Sequence, residues 1–165
     1  MNKRDHILNG LLLGIGLGFV LHPEGSVETL VTVAAVLVPV VLGAIFPDVD
    51  TEFGKHRKTL HNGFVVAALY GYTVYFGNLQ YVWIGVLSHF ALDVVGSRRG
   101  IAFFYPLWDR EFGTPFGVTT SSKYASFVTV VVTLLELGVC YALVQYLPGV
   151  VSGLDVGSAT TLLGL

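Results

Sequence analysis

The chain of 165 residues is 53% hydrophobic before glycine is counted, its 20 glycines raise the apolar share to about 65%, and only 12% is Asp, Glu, Lys or Arg. Soluble domains run at roughly 45 to 50% apolar and 25% charged, so this is the composition of a membrane protein. A formal net charge of -2 and basic runs no longer than two residues exclude a disordered chain, a coiled coil and a nucleic-acid binder. The single Cys140 excludes an internal disulfide and a Cys-based zinc site.

A bilayer core of about 30 Å calls for roughly 17 to 25 apolar residues per helix. Five runs meet or approach that length, over residues 7–21, 27–46, 59–77, 79–95 and 124–147. The first is short and follows Lys3 and Arg4, as a signal peptide would. No small-x-small cleavage pattern follows it, however, and His22-Pro23-Glu24-Gly25 comes next, so a retained helix is expected. Within it Gly10, Gly14 and Gly18 stand four apart, a spacing that lets a neighbouring backbone come close. Residues 96–123 are too long and aromatic for a simple loop. Pro106 and Pro115 break them, and a re-entrant or interfacial element is expected, with Tyr105 and Trp108 at headgroup level. The predicted fold is all-α: a polytopic transmembrane helical bundle of about five spans, with that segment before the last. Residues 1–147 form one domain, and the small, polar, Gly-rich residues 148–165 form a poorly ordered tail. Threading five spans puts all nine Lys and Arg on one side and Glu24, Glu28 and Asp155 on the other. The positive-inside rule then places the N-terminus in the cytoplasm and the C-terminus outside the cell membrane.

Certain polar residues do not suit a bilayer. Residues 47–58 hold six charges in twelve positions, reading Pro47-Asp48-Val49-Asp50 and then His56-Arg57-Lys58-Thr59-Leu60-His61. Hard carboxylate oxygens and imidazole nitrogens in one short segment suit Zn, Mn or Fe, although a solvated, capped loop would read similarly. In the fourth run His89 and Asp93 stand at i and i+4, on one helix face, so both can reach one ion; the alternative is a mutually satisfied buried pair. His6 maps to the same membrane face and His22 to the opposite one. His6, Asp48, Asp50, His56, His61, His89 and Asp93 thus supply up to seven donors, enough for two adjacent ions. Of the two aspartates, Asp50 is expected to ligate, being nearer the histidines, while Asp48 orients a histidine or acts on water. Glu136 lies deep in the last run, apart from these donors, where a protonated, hydrogen-bonded structural role is expected.

The order of these motifs resembles the YdjM-like family of small integral-membrane proteins, described as membrane-bound metal-dependent hydrolases. The resemblance rests on Asp5-His6, Pro47-Asp48-Val49-Asp50, His56-Arg57 with His61, Gly85-x-x-Ser88-His89-x-x-x-Asp93 and Gly100-Ile101 leading to Tyr105-Pro106. The family's run after His-Arg usually ends Thr-His-Ser; here it is Thr59-Leu60-His61-Asn62, with the histidine one position later. The family's His/Asp pattern is itself similar to that of zinc-dependent phospholipase C and its nuclease relatives, which implies phosphoester hydrolysis by a metal cluster.

Two functions follow as expectations. The first is a cytoplasm-facing hydrolase of a lipid or other amphipathic phosphoester, using one or two divalent ions, zinc foremost with Mn or Fe possible. His6, Asp50, His56, His61, His89 and Asp93 would hold the metal, with Asp48 and Arg57 serving the reaction and Arg57 or Arg98 pairing with the phosphate. The second is a non-enzymatic membrane protein, either a metal-stabilised scaffold or a metal transporter. The expected partners are the bilayer and that substrate, with no nucleic acid.

Overall fold

The computed structural model describes residues 1–115, 117–119 and 122–147. The tail expected from residue 148 lies outside the described residues. The chain runs through α1 (Lys3–Leu21), α2 (Val27–Ile45), a 3-10 helix (Pro47–Thr51), α3 (Gly63–Phe76), α4 (Val82–Val95) and α5 (Ala125–Tyr146). There is no β-strand among the described residues, only isolated bridges at Ser97–Val118 and Ile101–Phe112. Among the described residues three helices are long and apolar enough to cross a membrane: α1, α2 continued to Thr51, and α5. Side-chain burial runs opposite to that of a soluble bundle. Tyr75 is 84% exposed and Leu135 62%, whereas Asp5, His6, Asn9, His61, His89 and Asp93 are buried. A chain that hides its polar groups and shows its apolar ones is folded for lipid.

Local chemistry sets the helix ends. Asn2 caps α1, its side chain accepting from the Asp5 N–H while the Asp5 carboxylate accepts from the Asn2 N–H. α3 and α4 have 14 residues each, fewer than the runs at 59–77 and 79–95 suggested. Asn62 is the reason for the first difference. Its amide donates to the carbonyls of Lys58 and Thr59 and its oxygen accepts from the Val65 N–H, so residues 59–62 fold as a closed, capped loop. At the other end Gly77 terminates α3 in the left-handed region at φ 67°, and Leu79 follows at φ 51°.

Two close approaches hold the bundle. α1 lies on α2 along its glycine stripe, where a Cβ on Gly14 would stand 2.8 Å from Leu37 Cα and one on Gly18 2.7 Å from Val33 Cα. α2 crosses α4 more tightly still. A Cβ on Gly43 would stand 2.0 Å from the Val82 carbonyl oxygen, and one on Gly85 2.1 Å from that of Val40, so only glycine fits either position. Leu13, Leu17, Val36, Val40 and Tyr81 pack as the main apolar core beside this crossing.

The segment between α4 and α5 folds back over one end of the bundle. Ala102 N–H donates to the Arg57 carbonyl at 3.0 Å, and Phe103 C=O accepts from Gly63 N–H at 2.8 Å. Ile101 and Ala102 are buried beneath it, and the Tyr105–Pro106 peptide is cis. Phe104, Leu107 and Trp108 point outward, with the rings of Phe104, Trp108 and Phe112 in mutual contact. Such an aromatic face suits the membrane–water interface.

The α2–α4 crossing has a direct test. Gly85→Ala is expected to lower detergent-solution stability by about 1 to 3 kcal/mol or more through overpacking. Gly71→Ala, at a site with nothing within 4 Å of the added Cβ, should leave the unfolding midpoint unchanged or slightly raised. Equal midpoints for the two variants would show that the helices do not meet at Gly85.

Candidate metal centre

Four chain segments converge beneath the covering segment. α1 brings His6, the 3-10 helix brings Asp48 and Asp50, the loop after it brings His56 and His61, and α4 brings His89 and Asp93. Pro47 starts the 3-10 helix directly after α2, which turns the two aspartates into the bundle end. The donors form two adjacent groups, His6 with His89 and Asp93, and Asp48 with His56 and His61, each within a span of 4.8 Å.

The rings are held from behind. His89 Nδ1 lies 2.7 Å from the Ala44 carbonyl oxygen, which can only accept, so the proton sits on Nδ1 and Nε2 presents a lone pair. Asp50 is fully buried, and its carboxylate oxygens face His56 Nδ1 and His61 Nδ1, each at 2.9 Å. Asp50 also accepts the Leu60 N–H. His61 therefore likewise turns its Nε2 lone pair inward.

Those two lone pairs meet. His61 Nε2 and His89 Nε2 are 3.0 Å apart. Asp93 Oδ2 lies 3.7 Å from each, and Asp48 Oδ1 lies 3.8 Å from His61 Nε2 and 3.6 Å from His89 Nε2. Each of the two carboxylates thus faces the paired imidazole nitrogens. His6 stacks on His89 with centroids 3.7 Å apart, its Nε2 is 3.5 Å from Asp93 Oδ1, and neither of its ring nitrogens has a hydrogen-bond partner although both are buried. These buried His and Asp groups can hold a metal ion.

Positive groups lie on the far side of Asp93. The Met1 amino nitrogen is 2.6 Å from Asp93 Oδ1 and Arg57 Nη2 is 3.6 Å from it. Arg57 is itself buried, with Nη1 on the carbonyls of Arg99 and Gly100 and on Ser97 Oγ, while the Ser97 hydroxyl reaches the Asp93 carbonyl at 2.7 Å. Its backbone sits at φ 69°, a left-handed conformation costly for a residue with a side chain and found where surrounding structure enforces it. Arg98 turns away, its Nε donating to the Gly117 carbonyl. Outside the cluster a two-point ion pair joins Arg99 to Glu111, and the guanidinium holds the Glu111 carboxyl below its usual range.

The cluster opens on one side only. The His56 side chain is 38% exposed and that of Asp48 24%, whereas His6, His61, His89, Asp50 and Asp93 are closed off. His22 lies at the α1–α2 turn, 3.8 Å from Glu24, away from the cluster. Glu136 stays outside too, bonded to Asn9 and Ser88. Four participants went unread in the sequence: the Ala44 carbonyl, the Met1 amino group, Ser97, and Ser88 as a neighbour of Glu136. Only Ser97 carried a signal, four residues after Asp93 and just beyond the end of α4.

No curated protein and no solved structure is significantly similar to the chain. The family described as YdjM inner membrane protein matches residues 1–154, a stretch that includes every donor above. With a helical bundle built for lipid and a match over nearly its full length, the chain belongs to the YdjM inner membrane protein family.

Proposed function

We propose that this protein is an integral-membrane, metal-dependent hydrolase of a lipid or other amphipathic phosphoester, with its site on the cytoplasmic face. One observation carries the reading: two imidazole lone pairs and two carboxylate oxygens converge with no donor between them among the described residues. Buried acceptors repel unless a cation joins them. Donors held 2.0 to 2.2 Å from one tetrahedral ion stand roughly 3.3 to 3.5 Å apart, and the distances of 3.0 to 3.8 Å bracket that value. Nitrogen and carboxylate donors in this arrangement favour zinc, and Mn or Fe follow. His6 and His56 extend the set toward a second ion.

Bound there, a divalent ion supplies Lewis-acid polarisation of a phosphoryl oxygen and lowers the pKa of an adjacent water. The remaining work belongs to the chain. Asp50, with both oxygens engaged, orients His61 and His56, and Asp48 Oδ1 takes the ligand position that the sequence suggested for Asp50. His56 stands at the opening with its Nδ1 on Asp50, placed to hold a proton at the mouth of the site. Arg57 offsets the charge of Asp93 and anchors the covering segment, which keeps water from the inner donors. The outward aromatics of that segment favour a substrate arriving from the leaflet, and the basic residues gathered on this side favour its cytoplasmic orientation.

A non-catalytic metal centre is the second reading, supported by the burial of His6, His61, His89 and Asp93, donors enough to hold an ion without an open position. Transport is less well supported, because beyond Glu136 the groove between α4 and α5 is walled by Val139, Leu143 and Val144.

Detergent-purified protein is expected to retain a divalent ion measurable by elemental analysis, and His61→Ala and His89→Ala to lose it with helix content unchanged. Asp50→Asn should weaken metal affinity by about 10- to 100-fold, as for other residues that orient a ligand. Full occupancy in His89→Ala would overturn the site.

Catalysis and orientation are tested separately. Vesicle-reconstituted protein should hydrolyse a phosphoester lipid, stop on chelation and recover on metal return, whereas a metal-loaded protein inert across a phosphoester panel would favour the second reading. In a Cys140→Ser background, a cysteine at Ser26 should react with an impermeant thiol reagent on intact cells and one at Glu52 should not. The reverse pattern would invert the topology.

A further inference from the structure

A cavity of about 430 Å3 lies between α1, α4 and α5, away from the metal centre. It extends from Leu21 and Val144 at one end to Val95 and Val132 at the other, and its walls are almost wholly hydrocarbon. Leu135 and Val139, both exposed, border it on the lipid side. Ser88 and Glu136 stand midway along it.

The hydrogen bonds of Glu136 are one-sided. Its Oε2 accepts from Asn9 Nδ2 at 2.9 Å and lies 3.0 Å from Ser88 Oγ. The second Asn9 N–H goes to Thr133 Oγ1, and Asn9 Oδ1 meets the Ser88 hydroxyl. Those partners are therefore spent on one another. Glu136 Oε1 is buried and has no partner among the described residues. In a bilayer there is no bulk water to satisfy it, and native interiors seldom leave such an acceptor bare. A large apolar cavity with a few polar groups in its wall is the usual form of a small-molecule site, and Ser88 and Glu136 are set into this one.

We propose that this groove binds a membrane-borne amphiphile, its hydrocarbon chain lying between α4 and α5 and a hydroxyl or amide N–H of its polar end donating to Glu136 Oε1. The site is independent of the hydrolase reading. Because Ser88 immediately precedes His89, the bound molecule sits beside the helix turn that carries the metal donors.

The test uses the full chain in phosphatidylcholine vesicles with two probes, a diazirine-bearing hexadecanol and its methyl ether, which lacks the donor. The alcohol is expected to label α4 and α5 peptides about tenfold more than the ether, the worth of one hydrogen bond. Glu136→Leu should erase that preference, and Ala91→Trp, which fills the groove wall, should remove labelling by both probes. Equal labelling by alcohol and ether in the unmodified protein would mark ordinary surrounding lipid and overturn the proposal. So would a preference that survives Glu136→Leu, or labelling that survives Ala91→Trp. Should Glu136→Leu fail to fold, the comparison of probes on the unmodified protein and the Ala91→Trp variant decide the matter.

Discussion

The α2–α4 crossing at Gly43 and Gly85 brings two backbones together with no side chain between them. That contact sets more than helix spacing. Ala44 follows Gly43, and its carbonyl is the group that holds His89 Nδ1. His89 Nε2 in turn defines where His61, Asp48 and Asp93 converge, and His6 stacks against its ring. A shift of one ångström at the crossing would move the reference point of the whole cluster. A rigid scaffold is what a metal site needs, since its ligands must be held before the ion arrives.

Charge within the bundle end is balanced in layers. Asp93 turns one oxygen toward Arg57 and the Met1 amino group and the other toward the two imidazoles. Asp50 faces only histidines and a backbone N–H. The arrangement separates two tasks that a single carboxylate would perform poorly, since an oxygen that holds an imidazole in one tautomer cannot also face the cluster. Arg57 adds a mechanical link. Its guanidinium reaches Asp93 and the carbonyls of residues 99 and 100, so the covering segment and the donor helix are tied through one side chain.

Much of this was legible in the chain. Composition gave a lipid-facing bundle, the glycine spacing in α1 gave close packing, and the i, i+4 pair in α4 put His89 and Asp93 on one face. Hydropathy could not see that Asn62 would cap α3, or that Leu79 would take a left-handed backbone ahead of α4, so both helices are shorter than their apolar runs; such ends are single-residue chemistry hidden inside an apolar average. The directions in which Asp48 and Asp50 point were also beyond sequence, because two residues in a 3-10 turn diverge by an angle that only the neighbouring rings decide. Backbone donors and acceptors leave no mark at all, and nothing about Ala44 announces a carbonyl that fixes a tautomer. Glu136 was correctly read as a buried acid, but its partners come from α1 and α4, and depth counted along one helix ignores how helices are offset.

The short helices carry a consequence for the membrane itself. At 14 residues, α3 and α4 span about 21 Å, against a hydrocarbon thickness of about 30 Å. So short a stretch is met by local thinning of the bilayer, by flanking residues that reach the headgroups or by association, while α5, at 22 residues, matches an ordinary bilayer core. Thinning beside α3 and α4 would give the protein a preference for thinner regions of the bilayer.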